Sequence, residues 1–94
     1  MTDKQVFSNV WDALEDTAQE SAQMSMKASL MIAIEEKVRS WQVTQAEAAR
    51  RLAVTQPRLN DLLRGRIANF SLDALIALAG QAGLSVKLDI ADAA

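Results

Sequence analysis

Apolar residues recur at Phe7, Val10, Trp11 and Leu14, the i, i+3, i+4, i+7 spacing of one face of an α-helix. Asp12, Glu15, Asp16 and Glu20 cover its other side, and Ser8 or Asn9 is placed to cap it. Met1 to Val6 has no periodicity and reads as a disordered start. Thr17–Ser25 is small and polar, a linker or a weak continuation of the helix. Met24, Met31, Ile34, Val38 and Trp41 then form the stripe of a second helix from Lys27 to Trp41, with Leu30 beside it. Trp11, Trp41 and the methionines read as core rather than as a ligand box.

The most informative stretch is Val43–Arg66. Thr44 and Glu47 have the T-x-x-E spacing of a capping box, in which each side chain satisfies a backbone N–H of the other. Ala48, Ala49 and Leu52 line the inner side of this third helix, and Ala49 is small because a neighbouring helix must come close. The chain turns at Ala53-Val54. Thr55 caps a fourth helix whose first turn holds Pro57, where a missing N–H costs nothing. Leu59, Leu62 and Leu63 form its buried stripe, and Gly65 suits a left-handed cap. Two short helices around a tight turn make a helix-turn-helix pattern.

Beyond a connector at Ile67-Ala68-Asn69, Ser71 caps a fifth helix, with Asp73 at its positive end and Phe70 stapled to Leu75. Leu72, Leu75, Ile76, Leu78 and Ala79 make this helix largely buried, and Gly83 ends it. Leu84-Ser85-Val86-Lys87-Leu88-Asp89-Ile90 then alternates apolar and polar, the pattern of a half-buried strand. No other stretch reads as a strand, and a lone strand leaves its backbone groups unpaired. The expected remedy is the same strand of a second copy, paired antiparallel through Leu84, Val86, Leu88 and Ile90. The chain thus divides into an N-terminal segment 1–27, a helix-turn-helix domain 28–83 with its motif at 44–66, and a dimerising strand and tail 84–94.

Composition narrows the function. With 94 residues the chain holds one small domain. It has no cysteine and no histidine, which excludes disulfides, Cys/His zinc sites and histidine-based catalysis. No catalytic residue, metal or cofactor is expected. The carboxylates Glu35-Glu36 and Asp12/Glu15/Asp16 read as solvated helix faces. No segment has the form of a membrane span or a signal peptide, so a soluble cytoplasmic protein is expected. Residues 1–40 hold four Lys/Arg against seven Asp/Glu, whereas residues 44–66 hold five arginines against Glu47 and Asp61. A local basic face on an acidic body suits docking on DNA by that face alone.

These motifs resemble the XRE-type, lambda-repressor/Cro-like helix-turn-helix family, and within it a subgroup that includes HigA-type antitoxins. The likeness is carried by Val10-Trp11-Asp12-Ala13-Leu14, by Val43-Thr44-Gln45-Ala46-Glu47-Ala48-Ala49, by Thr55 to Arg66, by Phe70-Ser71 and by Gly83 to Leu88. It spans residues 9 to 90. Ala53 departs from it, standing where the family usually has a turn glycine, and residues 17–27 fit loosely. The resemblance implies a mainly α, five-helix lambda-repressor-like domain with one short C-terminal β-strand paired across a homodimer. It implies a repressor that binds a palindromic operator in double-stranded DNA, with a small basic toxin as a further partner. The acidic N-terminal segment with Phe7, Val10, Trp11 and Leu14 is then either the grip on that toxin or a helix packed on its own domain. A stand-alone or phage-type regulator without a toxin, and a protein-interaction module, are the alternatives.

In such a motif the second helix enters the major groove and its N-terminal residues meet base edges. Burying Leu59, Leu62 and Leu63 turns Pro57, Asn60, Asp61 and Arg64 outward, with Gln56 and Arg58 on the flanks. Gln56, Arg58 and Asn60 are the expected base readers, and Pro57 offers only apolar contact. Asp61 either accepts from cytosine or pairs with Arg58 or Arg64. Gln45 is expected on phosphate beside the helix start, as the resemblance implies, with Arg64 and Arg66 as further phosphate contacts. Thr55, though on the DNA side, is chiefly a cap. Arg50 and Arg51 are read equally well as phosphate contacts or as a solvated face.

Overall fold

The computed structural model describes the backbone of residues 2–92 and the side chains of residues 18–92. Four α-helices and one 3₁₀ turn follow in order among these residues: α1 Thr2–Ser40, α2 Gln45–Leu52, α3 Gln56–Leu63, the turn Ile67–Asn69, and α4 Leu72–Gln81. The stripe expected at Phe7, Val10, Trp11 and Leu14, with its cap at Ser8 or Asn9, lies outside the described side chains.

The first correction concerns the break expected at Thr17–Ser25. α1 is one helix through this stretch, so the five expected helices become four. The physical reason is that residues 17–27 contain neither Gly nor Pro, and Ala18, Gln19, Glu20, Ala22, Gln23 and Met24 are all good helix formers. Polarity here signals solvent exposure on every side rather than a change of backbone. Residues 18–26 are indeed all exposed, Met24 among them, although it had been placed on the core stripe.

The core forms where the last turns of α1 cross α4 and the motif. Met31, Ile34 and Val38 meet Ala48, Ala49 and Leu52 of α2, Leu59 and Leu62 of α3, and Leu75, Leu78 and Ala79 of α4. Trp41, Leu30 and Leu63 are only partly buried against this cluster. Phe70, 1% exposed, sits at its centre together with Leu75, 0% exposed. These two are the residues flanking the Ser71 cap that the staple would join.

Each helix after α1 begins as its sequence demands. Thr44 Oγ1 accepts from the Glu47 N–H at 3.1 Å, Thr55 Oγ1 from Arg58 N–H at 3.2 Å and Ser71 Oγ from Ala74 N–H at 3.1 Å. The capping box at Thr44, however, is one-sided. Glu47 does not reach back to Thr44, because two arginines on its own helix claim its carboxylate.

All three helices also end alike. Ala53 N–H bonds Arg50 C=O and Val54 N–H bonds Ala49 C=O; Gly65 and Arg66 make the same pair to Leu62 and Asp61, and Gly83 and Leu84 to Gly80 and Ala79. This is the Schellman pattern, which requires a left-handed residue at its centre. Gly65 (φ 71°) and Gly83 (φ 84°) meet that need freely, whereas Ala53 meets it at φ 57°, ψ 41° with a Cβ in the way. Ala53→Gly should therefore stabilise the domain by about 1 kcal/mol and raise the thermal midpoint by about 4–8 °C. Calorimetry of the single variant checks this, and an unchanged or lower midpoint would contradict it.

The second correction concerns the C-terminus. Residues 84–92 have no regular secondary structure and form no strand, since a ladder needs a second strand and none lies beside them among the described residues. Leu84 is half-buried against the core. Val86, Leu88 and Ile90 stand in solvent.

Candidate nucleic-acid interface

α3 is held by Leu59 and Leu62, 0% and 1% exposed, so its opposite face is fixed in direction by the core beneath it. On that face Gln56 and Pro57 are exposed, and Asn60 and Asp61 half-buried. Thr55 is exposed, but its hydroxyl is engaged in the cap. Gln45, the first residue of α2, is exposed beside the start of that helix. It lines a shallow depression of about 320 Å³ with Gln42, Arg39 and Leu63. Gln45, Gln56, Pro57 and Asn60 are thus all accessible, as the sequence leads one to expect.

The five arginines of the motif are less alike than their spacing suggests. Arg50 and Arg51 both bond Glu47, with Arg50 Nη2 at 2.6 Å and Arg51 Nε at 3.0 Å from the same oxygen. The Arg51 guanidinium also lies 5.1 Å from the centre of the Trp41 ring. Arg66 Nη1 lies 3.4 Å from Asp61 Oδ1, and Asn69 Nδ2 donates to the other Asp61 oxygen at 3.4 Å. Asp61 is therefore paired with Arg66, and neither Arg58 nor Arg64 is its partner. Arg64, exposed at the end of α3, makes no ion pair among the described residues.

Arg58 is turned away from the reading face. Its Nη1 donates to the Asn69 carbonyl at 2.8 Å, and its guanidinium stacks 4.0 Å above the Phe70 ring. To reach a base it would have to give up a charge-assisted hydrogen bond and a cation–π contact together. Its place beside Gln56 and Asn60 as a reader is thus not supported by this geometry. Arg58 instead fastens α3 to the turn that leads into α4. Asn69 is the residue that the sequence concealed: it receives Arg58 and holds Asp61, eleven and eight positions upstream. No periodicity marks such a contact.

The Glu47 carboxyl, hydrogen-bonded first by Arg50 and then by Arg51, is lowered to about 2. A carboxylate whose folded pKa is depressed stabilises above its unfolded pKa of about 4.3, and that contribution disappears as pH falls through the folded value. The difference in thermal midpoint between the wild type and Glu47→Gln should be constant above about pH 5 and shrink towards zero near pH 2. A difference independent of pH would show that the carboxylate charge plays no part.

With this geometry in place, the family can be stated. The profile of a family described as "Helix-turn-helix domain" matches residues 13–91, and the chain belongs to that family. Its fold is similar to a solved structure described as "Putative XRE Family Transcriptional Regulator", with a TM-score of 0.72 and 25% identity over 78% of this chain and 82% of the other. No curated protein matches the chain in sequence. No helix among the described residues is long and apolar enough to cross a membrane.

Proposed function

We propose that this protein is a sequence-specific, DNA-binding transcriptional repressor that acts in the cytoplasm as a homodimer and has no enzymatic role. One observation carries the reading: α3 is locked from behind by Leu59 and Leu62, so Gln56, Pro57 and Asn60 project from a rigid, donor-bearing face. A helix so presented fits the major groove, where Gln and Asn side chains pair with adenine. Gln45 and Arg64 lie at either side of that face and serve phosphate contact. Arg66 joins them when it leaves Asp61. The likeness to the XRE-family regulator supports the same reading.

In finer terms we propose the antitoxin of a type II toxin–antitoxin pair, binding its own operator. The support is the resemblance of the motifs at Val43–Ala49 and Thr55–Arg66 to HigA-type antitoxins. A stand-alone regulator is the alternative, and it shares every DNA contact. Selection of bound sequences from a random duplex pool tests the common core. Enrichment of a palindrome with half-sites about one helical turn apart is the expected result. Absence of any enriched sequence at low salt would instead favour a protein-interaction module. Co-purification with the product of a neighbouring gene for a small basic protein separates antitoxin from stand-alone regulator.

A further inference from the structure

The two acidic residues of the motif are held very differently. Glu47 is gripped by Arg50 and Arg51 at 2.6, 2.8 and 3.0 Å. Asp61, the one acidic residue of α3, is held loosely. Arg66 Nη1 stands 3.4 Å from one of its oxygens, and Asn69 Nδ2 stands 3.4 Å from the other. Charge-assisted bonds between nitrogen and oxygen ordinarily close to about 2.7–2.9 Å. A carboxylate oxygen accepts at two positions, so each oxygen of Asp61 keeps room for a further donor. This unsaturated acceptor lies on the face that carries Pro57 and Asn60.

Arg66 can leave Asp61 at little cost. Its side chain is 51% exposed, and an ion pair so placed contributes little. Its backbone is fixed, because Arg66 N–H bonds the Asp61 carbonyl at 3.0 Å. Departure therefore needs only rotation of the side chain between rotamers. What opposes it is the charge left behind. Without Arg66, Asp61 would approach a row of phosphates as a carboxylate held by Asn69 alone. A donor from the DNA itself removes that cost.

We propose that Asp61 ties the identity of one base to a phosphate contact, by exchanging Arg66 for the N4 amino group of a cytosine. The proposal rests on the DNA-reading role of α3 stated above and adds a base and a mechanism to it. Cytosine fits because its major-groove edge offers a donor and no acceptor. Adenine sets the acceptor N7 beside its donor, and guanine and thymine offer acceptors, which repel a carboxylate. Over cytosine, N4 takes the place of Arg66 on Asp61, and the guanidinium turns to the backbone. Over any other base the ion pair persists and that phosphate contact is not made. Arg64, which makes no ion pair among the described residues, contacts phosphate whatever the base.

Selection from a random duplex pool with the wild type and with Asp61→Ala locates the base, as the cytosine whose preference the variant loses. Salt titrations on the selected site, and on the same site with guanine there, then read the exchange. The wild type should bind the cytosine site about tenfold tighter per copy, with a salt slope steeper by about 0.9 per copy. Asp61→Ala should show the steep slope on both sites, and Arg66→Ala the shallow slope on both. Arg66 is exposed and outside the core, so its variant reports even if loss of Asp61 loosens α3. Equal wild-type slopes on the two sites, with the cytosine preference intact, overturn the exchange and leave the reading face standing. So does a selected sequence that Asp61→Ala changes at no position. Absence of any selected sequence overturns both.

Discussion

Phe70→Ala is expected to remove about 3–5 kcal/mol from the stability of the domain, a large share of the 5–15 kcal/mol typical of small proteins. Phe70 is 1% exposed and is among the largest fully buried side chains of the core cluster, so truncation opens a cavity there. The ring also carries the Arg58 guanidinium, 4.0 Å away on its face. A double-mutant cycle with Arg58→Ala should return a coupling of about 0.5–1 kcal/mol, the scale of an accessible cation–π pair. Denaturant unfolding of the four proteins measures both quantities. A loss below 1 kcal/mol for Phe70→Ala would mean that the core closes without this ring.

The second large effect falls on DNA. Asn60→Ala or Gln56→Ala should cost about 1–3 kcal/mol of discrimination per copy, and a two-fold operator counts that cost twice. The selected palindrome should lose most of its advantage over random duplex, while affinity for random duplex changes little. Arg64→Ala should behave in the opposite way. It should weaken binding to all sequences alike and lower the salt slope by about one phosphate contact per copy. Salt titrations of each variant on the selected and a scrambled site separate the two patterns. If Asn60→Ala and Arg64→Ala gave the same pattern, the reading face would not be where α3 presents it.

How much of this was legible beforehand follows from the range of each signal. Caps are local, so Thr44, Thr55, Ser71, Gly65 and Gly83 could all be placed from neighbours within five residues, and each sits in its expected conformation. The inward leucines of α3 followed from helical period alone. Ala53 shows where a family comparison adds information: an alanine in a glycine position does not alter the turn but strains it. The failures are contacts through space. Nothing in the spacing of Glu47 shows that two arginines would outcompete the Thr44 N–H for its carboxylate. Nothing in Asn69 shows that Arg58 would fold back onto it. The expected break at Thr17–Ser25 failed for another reason, since polar composition was read as a change of backbone where only Gly or Pro would have imposed one. The terminal strand could be seen as a pattern, but its ladder depends on a second copy.

The unbroken course of α1 bears on how a partner would engage the outer end of the chain. Residues 18–26 are exposed on all sides, yet they continue a helix whose inner turns are clamped by Met31, Ile34 and Val38. Starting a helix is the costly step, with a nucleation constant of about 10⁻³, whereas lengthening one is close to neutral for good formers. The packed turns thus serve as a permanent seed for the outer ones. Amide exchange should grade smoothly, slow near Met31 and progressively faster towards residue 18, without the step that a separate element would give. A partner that seized this arm would meet a helix already begun, and would need only to suppress fraying.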